Sequence, residues 1–143
     1  MKSIRKYTLI LLSFLLLTAC ASPTAATIDI NDDSIPSIYT VIGKKKIAYT
    51  DSSHKDGVRS TELTYKSSEL TEAEIVEYTE YLLNEEDFVL TKELEDVSDT
   101  ISTWQIAKES SRDGNIILIT FNYESMGDVI INYATGPGTL TRY

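Results

Sequence analysis

His54 is the one histidine among the 143 residues, and it lies between Ser53 and Lys55 in a polar stretch. Imidazole is the side chain best suited to moving protons near neutral pH. A hydrolytic triad needs a nucleophile on one side of it and an orienting carboxylate on the other. The sequence has no Gly-x-Ser-x-Gly elbow, so His54 reads as an exposed loop residue. Zinc favours several histidine or thiolate ligands, and the chain holds one histidine and one cysteine. Asp51, Ser53, Asp56 and Gly57, followed by Glu62, weakly echo a calcium loop. The spacing departs from an EF-hand, because Lys55 takes the fifth position and the glycine comes one place late. Arg112-Asp113-Gly114-Asn115 fits turn chemistry. Gly136-Pro137-Gly138 lacks the lysine, serine and following helix of a phosphate loop. The sequence therefore points to no metal and no cofactor.

Carboxylates are the plentiful reactive groups. Residues 69 to 96 hold eleven acids and one base, Lys92. A glycosidase needs two carboxyls about 5 to 10 Å apart across a cleft. Glu77 and Glu80 are neighbours on a helix, but on its solvent side. They read as a solvated acidic face or as a docking surface for a basic partner, with Tyr81 as an aromatic contact inside it. Trp104, the only tryptophan, alternates in phase with Ser102, Ile106 and Lys108, which leaves its face undecided. Tyrosine and tryptophan suit both strands and interfaces. The candidate interaction surface is thus Tyr81, Glu77, Glu80 and Trp104.

Cys20 belongs to different chemistry. Lys2, Arg5 and Lys6 form a basic leader, and Tyr7 to Leu17 is apolar except for Thr8 and Ser13. Small residues then lead to the cysteine. This is the three-part pattern of a secretory signal. Its apolar run is about half the roughly 20 residues that span a bilayer. Leu17-Thr18-Ala19-Cys20 resembles the lipobox of bacterial lipoproteins. The resemblance implies a diacylglyceryl group on the Cys20 sulfur and a mature chain that starts there. A two-chain anchor holds at roughly 0.8 kcal/mol per buried methylene. With Cys20 committed to lipid, no thiol remains for a disulfide, so the core alone must hold the fold.

Charge narrows the partners. The chain carries −9 at neutral pH, with 13 basic and 22 acidic residues. Residues 1 to 19 hold three of the bases and none of the acids, so the mature chain has 13 − 3 − 22, or −12. Such a surface repels nucleic acid and anionic lipid headgroups, which argues against a DNA-binding or membrane-remodelling role. The bias toward Ile, Thr, Tyr, Glu and Lys suits a Gram-positive-type source.

The elements that must position these residues follow in order. Residues 1–19 read as the signal and 20–37 as a lipidated N-terminus with a flexible tether. Residues 38–143 read as one α+β domain. Strands are expected over 37–42, 47–50 and 58–66, with a polar loop over 51–57. Thr71 and Glu74 form a capping box, and Leu70 and Ile75 are placed as a hydrophobic staple. From 72 to 86, Ile75, Val76, Tyr78, Thr79, Leu82 and Leu83 share one helical face. Further strands are expected over 88–94, 101–108, 116–123 and 129–134, with an acidic turn over 95–100. Ile116 to Tyr123 is the most apolar and is expected to be central. Short turns make neighbouring strands antiparallel. The fold expected is α+β: a curved antiparallel sheet of six to seven strands, order βββαββββ, with one helix on a face. The plan resembles that of small surface lipoproteins of undefined activity.

The function expected is a non-enzymatic binding or interaction module, held outside the cell membrane by lipid on Cys20, with a protein or envelope polymer as partner. The alternatives are a carboxylate-dependent hydrolase of the envelope and an inhibitor or assembly partner of an envelope complex.

Overall fold

The computed structural model describes residues 23–140. Cys20 and residues 1–19, expected to be a signal, lie outside the described residues. Among those residues no helix is long and apolar enough to cross a membrane.

Six antiparallel strands form the main sheet: β3 (Ile47–Lys55), β4 (Val58–Lys66), β5 (Val89–Ser98), β6 (Ile101–Glu109), β7 (Asn115–Glu124) and β8 (Asp128–Pro137). Their order across the sheet is β3-β4-β8-β7-β6-β5. Helix α2 (Glu72–Glu85) carries the chain from β4 to the far edge at β5. The chain then returns strand by strand until β8 closes against β4. β7 and β8 are central, as the apolar pattern of 116–123 predicts.

One sheet face is the core face. Leu63, Ile131, Phe121 and Trp104 stand side by side across β4, β8, β7 and β6, and all four are buried. α2 lies on this face. Tyr78 meets the Phe121 ring edge-on at 6.2 Å. The helix starts where the sequence says it should. Thr71 accepts from the Glu74 backbone at 3.4 Å, and the Glu74 carboxylate accepts from the Thr71 N–H at 2.9 Å. Leu70 and Ile75 are both buried beside that cap. Asp87, left-handed at φ 61°, ends the helix, a position that short polar residues tolerate. Lys108 closes its C-terminus by donating to the Glu86 carbonyl at 3.2 Å, while sitting 4.8 Å from the Phe88 ring centre. A cation there suits the helix dipole.

The segment expected to be tether is instead part of the fold from Thr27 onward. β1 (Thr27–Ile30) and β2 (Asp33–Pro36) form a two-stranded ribbon, with Ile28 opposite Ile35. Ile28, Ile30 and Ile35 are buried in the same core as the sheet. Asp33 ties the ribbon to the β6–β7 turn by accepting from Ser110 Oγ and from the Ser111 N–H. The domain boundary therefore moves back from residue 38.

Three further expectations change. Residues 38–41 are not strand but a single helical turn, α1 (Ile38–Val41). Ser37 and Thr40 donate to the carbonyls of Ala25 and Ala26 at 2.5 and 2.6 Å, and these contacts override the strand preference of Ile, Tyr and Val. The polar stretch 51–55 continues β3, because it pairs residue for residue with β4 and faces solvent at the sheet edge. The acids of 95–98 belong to β5 rather than to a turn. The element order is thus ββαββαββββ, with the ribbon separate from the six-stranded sheet.

Candidate functional site

The residues singled out for an interaction surface do not form one patch. Trp104 is 3% exposed. Its ring stacks on Phe121 at 5.1 Å, and its indole N–H donates to Thr79 Oγ1 at 3.0 Å. It is a core residue, which removes it from the surface. Tyr81 is half-buried against the core and offers one flank only. Glu77 and Glu80 are exposed on the outward side of α2.

β5 carries a surface that no local sequence pattern marks. It is an edge strand, and all its residues except Val89 are exposed. Leu90, Leu94 and Val97 are 47%, 50% and 61% exposed, in a strand that also bears Glu93, Glu95 and Asp96. Its pairing with β6 shifts register three times along its length. Such bulges and charges limit unspecific edge pairing, so a partner strand would find short docking stretches rather than one long ladder. Acidic α2 and acidic β5 meet at Ser102, whose hydroxyl lies 3.2 Å from Glu72 and 3.0 Å from Asp96. One hydroxyl proton serves two carboxylates there. This is a place where two carboxylates of the domain converge.

His54 lies on β3 opposite Arg59, not in a loop. The two line a cleft of about 320 Å³ between the ribbon and the β3–β4 hairpin, with Asp29, Asn31, Ser52 and Thr61. Around it Ser52 pairs with Thr61 and Ser53 with Ser60, Asp29 accepts from Thr27 and Ser34, and Asn31 accepts from Arg112; among the described residues His54 takes part in none of these bonds. A larger open cleft of about 690 Å³ runs between Pro23, Lys44–Thr50 and Glu69. Asp51 and Glu62 of the calcium-like spacing stand opposite each other on β3 and β4. Among the described residues no group of three or more acidic, histidine or cysteine side chains could hold a metal ion.

The perturbed acids are structural. Burial pushes the phenols of Tyr65, Tyr78 and Tyr133 up. Tyr78 donates to the Pro36 carbonyl at 2.7 Å, and its oxygen lies 3.1 Å from that of Tyr133. Partial burial alone would raise Asp33 and Glu74. Hydrogen bonds from Ser110 and Ser111 to the first, and from Lys45 and Thr71 to the second, outweigh it and hold both below the usual carboxylate range.

The chain matches no protein-family model, and comparisons with curated proteins and with solved structures returned no match.

Proposed function

We propose that the protein is an extracytoplasmic lipoprotein, held on the membrane by lipid at Cys20, whose domain is a non-enzymatic binding module. Its contact surface is the β5 edge together with the acidic outward side of α2. The sheet curves about α2 in this reading, which keeps β5 projecting as a free margin. The observation that carries the reading is the exposure of Leu90, Leu94 and Val97 on an edge strand among Glu93, Glu95 and Asp96. Unpaired edge groups supply main-chain hydrogen bonds to an added strand, and alternate side chains supply its specificity. The acids select a basic partner. The partner class that fits is an extended polypeptide segment bearing lysine or arginine beside apolar residues.

The test is photo-crosslinking in intact source cells, with the crosslinker moved residue by residue through 90–97. The expected result is a polypeptide adduct at Leu90, Leu94 and Val97, lost in Glu93→Lys/Glu95→Lys and mapping to a basic segment of the partner. Adducts that ignore those charges, or none on β5, would overturn the edge as the site. The runner-up is the carboxylate hydrolase, favoured by Glu72 and Asp96 meeting at Ser102. An envelope-polymer hydrolysis that Asp96→Asn abolishes without unfolding would move the assignment there.

A further inference from the structure

The only basic run of the mature chain is Lys44-Lys45-Lys46. It lines the 690 Å³ cleft together with Pro23 and Glu69. Lys45 is held by Glu74 at 2.5 Å, while Lys44 and Lys46 are exposed and enter no ion pair among the described residues. Tyr39 and Tyr49 are the exposed tyrosines of the described chain, at 42% and 61%. Tyr49 lines this cleft and Tyr39 a second, much smaller one, and Pro23 lines both. Lysines beside exposed tyrosines are the side chains that settle at a bilayer's headgroup level.

Covalent geometry adds the decisive constraint. Cys20 precedes Pro23 by three residues. Three residues reach at most about 11 Å. If the Cys20 sulfur carries the anchor, Pro23 stands within about 11 Å of it, and the clefts that Pro23 shares with these side chains are brought toward the leaflet. We propose that the face formed by Lys44, Lys46, Tyr39 and Tyr49 docks on the anionic headgroups of the membrane that holds Cys20. The proposal rests on the lipoprotein reading. It supplies what that reading lacks, an orientation. The lysines immediately precede β3, one edge of the sheet, and β5 is the other. Five interstrand spacings of about 4.8 Å put β5 roughly 24 Å across the sheet. The acidic bulk of the domain is repelled by the same headgroups that attract the lysines. Two lysines at an anionic leaflet shift the docked population by about 30-fold. A tether of three residues keeps the local lipid concentration high throughout.

The experiment uses the lipidated full chain purified from cells and reconstituted into vesicles. Lipidation consumes the Cys20 thiol, so Tyr49→Cys or Asp113→Cys provides a single site for an environment-sensitive dye. Asp113 lies in the β6–β7 turn, roughly 20 Å along the strands from the Tyr49 row. Dye emission and quenching by bilayer-embedded nitroxide lipids are read on vesicles with 30% phosphatidylglycerol and on pure phosphatidylcholine. The expected result is strong quenching and blue-shifted emission at 49 on the anionic vesicles alone. Both should be lost in Lys44→Glu/Lys46→Glu and in molar salt, while position 113 stays solvent-exposed throughout. Equal exposure at 49 and 113 on anionic vesicles would overturn the docking. So would quenching at 49 that ignores lipid charge. Flotation and intact mass are read on the same samples: a chain lacking diacylglycerol that fails to float ends the anchored reading itself.

Discussion

Trp104 donates its indole N–H to the hydroxyl of Thr79, 3.0 Å away, and that hydroxyl donates in turn to the Ile75 carbonyl at 2.8 Å. A residue suited to an interface is thereby spent on joining β6 to α2. Trp104→Phe keeps the stacking on Phe121 but removes the donor. It should cost about 1 kcal/mol, the usual net worth of a buried hydrogen bond. Trp104→Ala leaves a cavity and should cost about 3 to 5 kcal/mol. Urea unfolding checks both values. The native tryptophan emission should be blue-shifted and resist acrylamide, and an exposed indole would contradict the assignment.

Acid should loosen the ribbon and the start of α2. Asp33 and Glu74 have folded pKa values held below their unfolded ones. The unfolded chain then binds more protons than the native one, so stability rises with pH across that interval. The contribution is complete above the unfolded carboxylate pKa of about 4 and fades as pH falls through the lower folded values. Asp33→Asn/Glu74→Gln should flatten the acid limb of stability between about pH 5 and pH 2. Melting temperature against pH for the two chains measures it, and parallel limbs would refute it. Thr71→Ala, which removes the cap of α2, should cost about 1 kcal/mol at neutral pH.

The alkaline limb has the opposite origin. Tyr65, Tyr78 and Tyr133 keep their protons in the fold to higher pH than in the unfolded chain. Their contribution is complete below the unfolded pKa of about 10 and is lost as pH climbs toward the folded values. Phenolate absorbance from these three should therefore appear together with unfolding, not before it. Tyr133→Phe removes one ionisable phenol and one partner of Tyr78. It should weaken the native state at pH 7 by about 1 kcal/mol while delaying part of the alkaline loss. Spectrophotometric titration alongside circular dichroism separates the two effects.

What the sequence showed depended on how much local signal each element carries. α2 was legible because a reciprocal cap, a staple and four turns of periodicity agree. β7 was legible because Ile116, Ile117, Leu118 and Ile119 are apolar on both faces. The side taken by Trp104 was not, because its phase partner Ser102 is polar yet buried, satisfied by Glu72 and Asp96. The full length of β5 is hidden in the sequence because Glu93, Glu95 and Asp96 oppose strand propensity, and at this edge they are accepted by solvent. His54 looked like a loop residue for the same reason: β3 is an edge, so polar side chains there give no alternation. The basic run was visible as charge, but its nearness to Pro23 is a fact of tertiary structure.

The ribbon is the element that the sequence hides best, and it leads to the sharpest stability test. Ile28, Ile30 and Ile35 alternate as strand residues should, but each strand is only four residues long and Asn31-Asp32-Asp33-Ser34 resembles a linker. Burying an isoleucine contributes roughly 1.5 to 3 kcal/mol, so three contribute about 5 kcal/mol or more. That rivals the whole stability of an ordinary domain. A chain begun at Ser37 also loses Asp33 from Ser110 and the Pro36 carbonyl from Tyr78, leaving the buried Tyr78 phenol with Tyr133 alone as partner. It should fail to fold cooperatively at 25 °C by circular dichroism and urea titration. A chain begun at Pro23 should unfold in one transition. The subtler Ile35→Ala, at a position with no solvent exposure, should cost about 2 to 5 kcal/mol. If the chain begun at Ser37 unfolded with the stability of the longer one, the ribbon would be tether after all, and its three isoleucines would contribute nothing to the core.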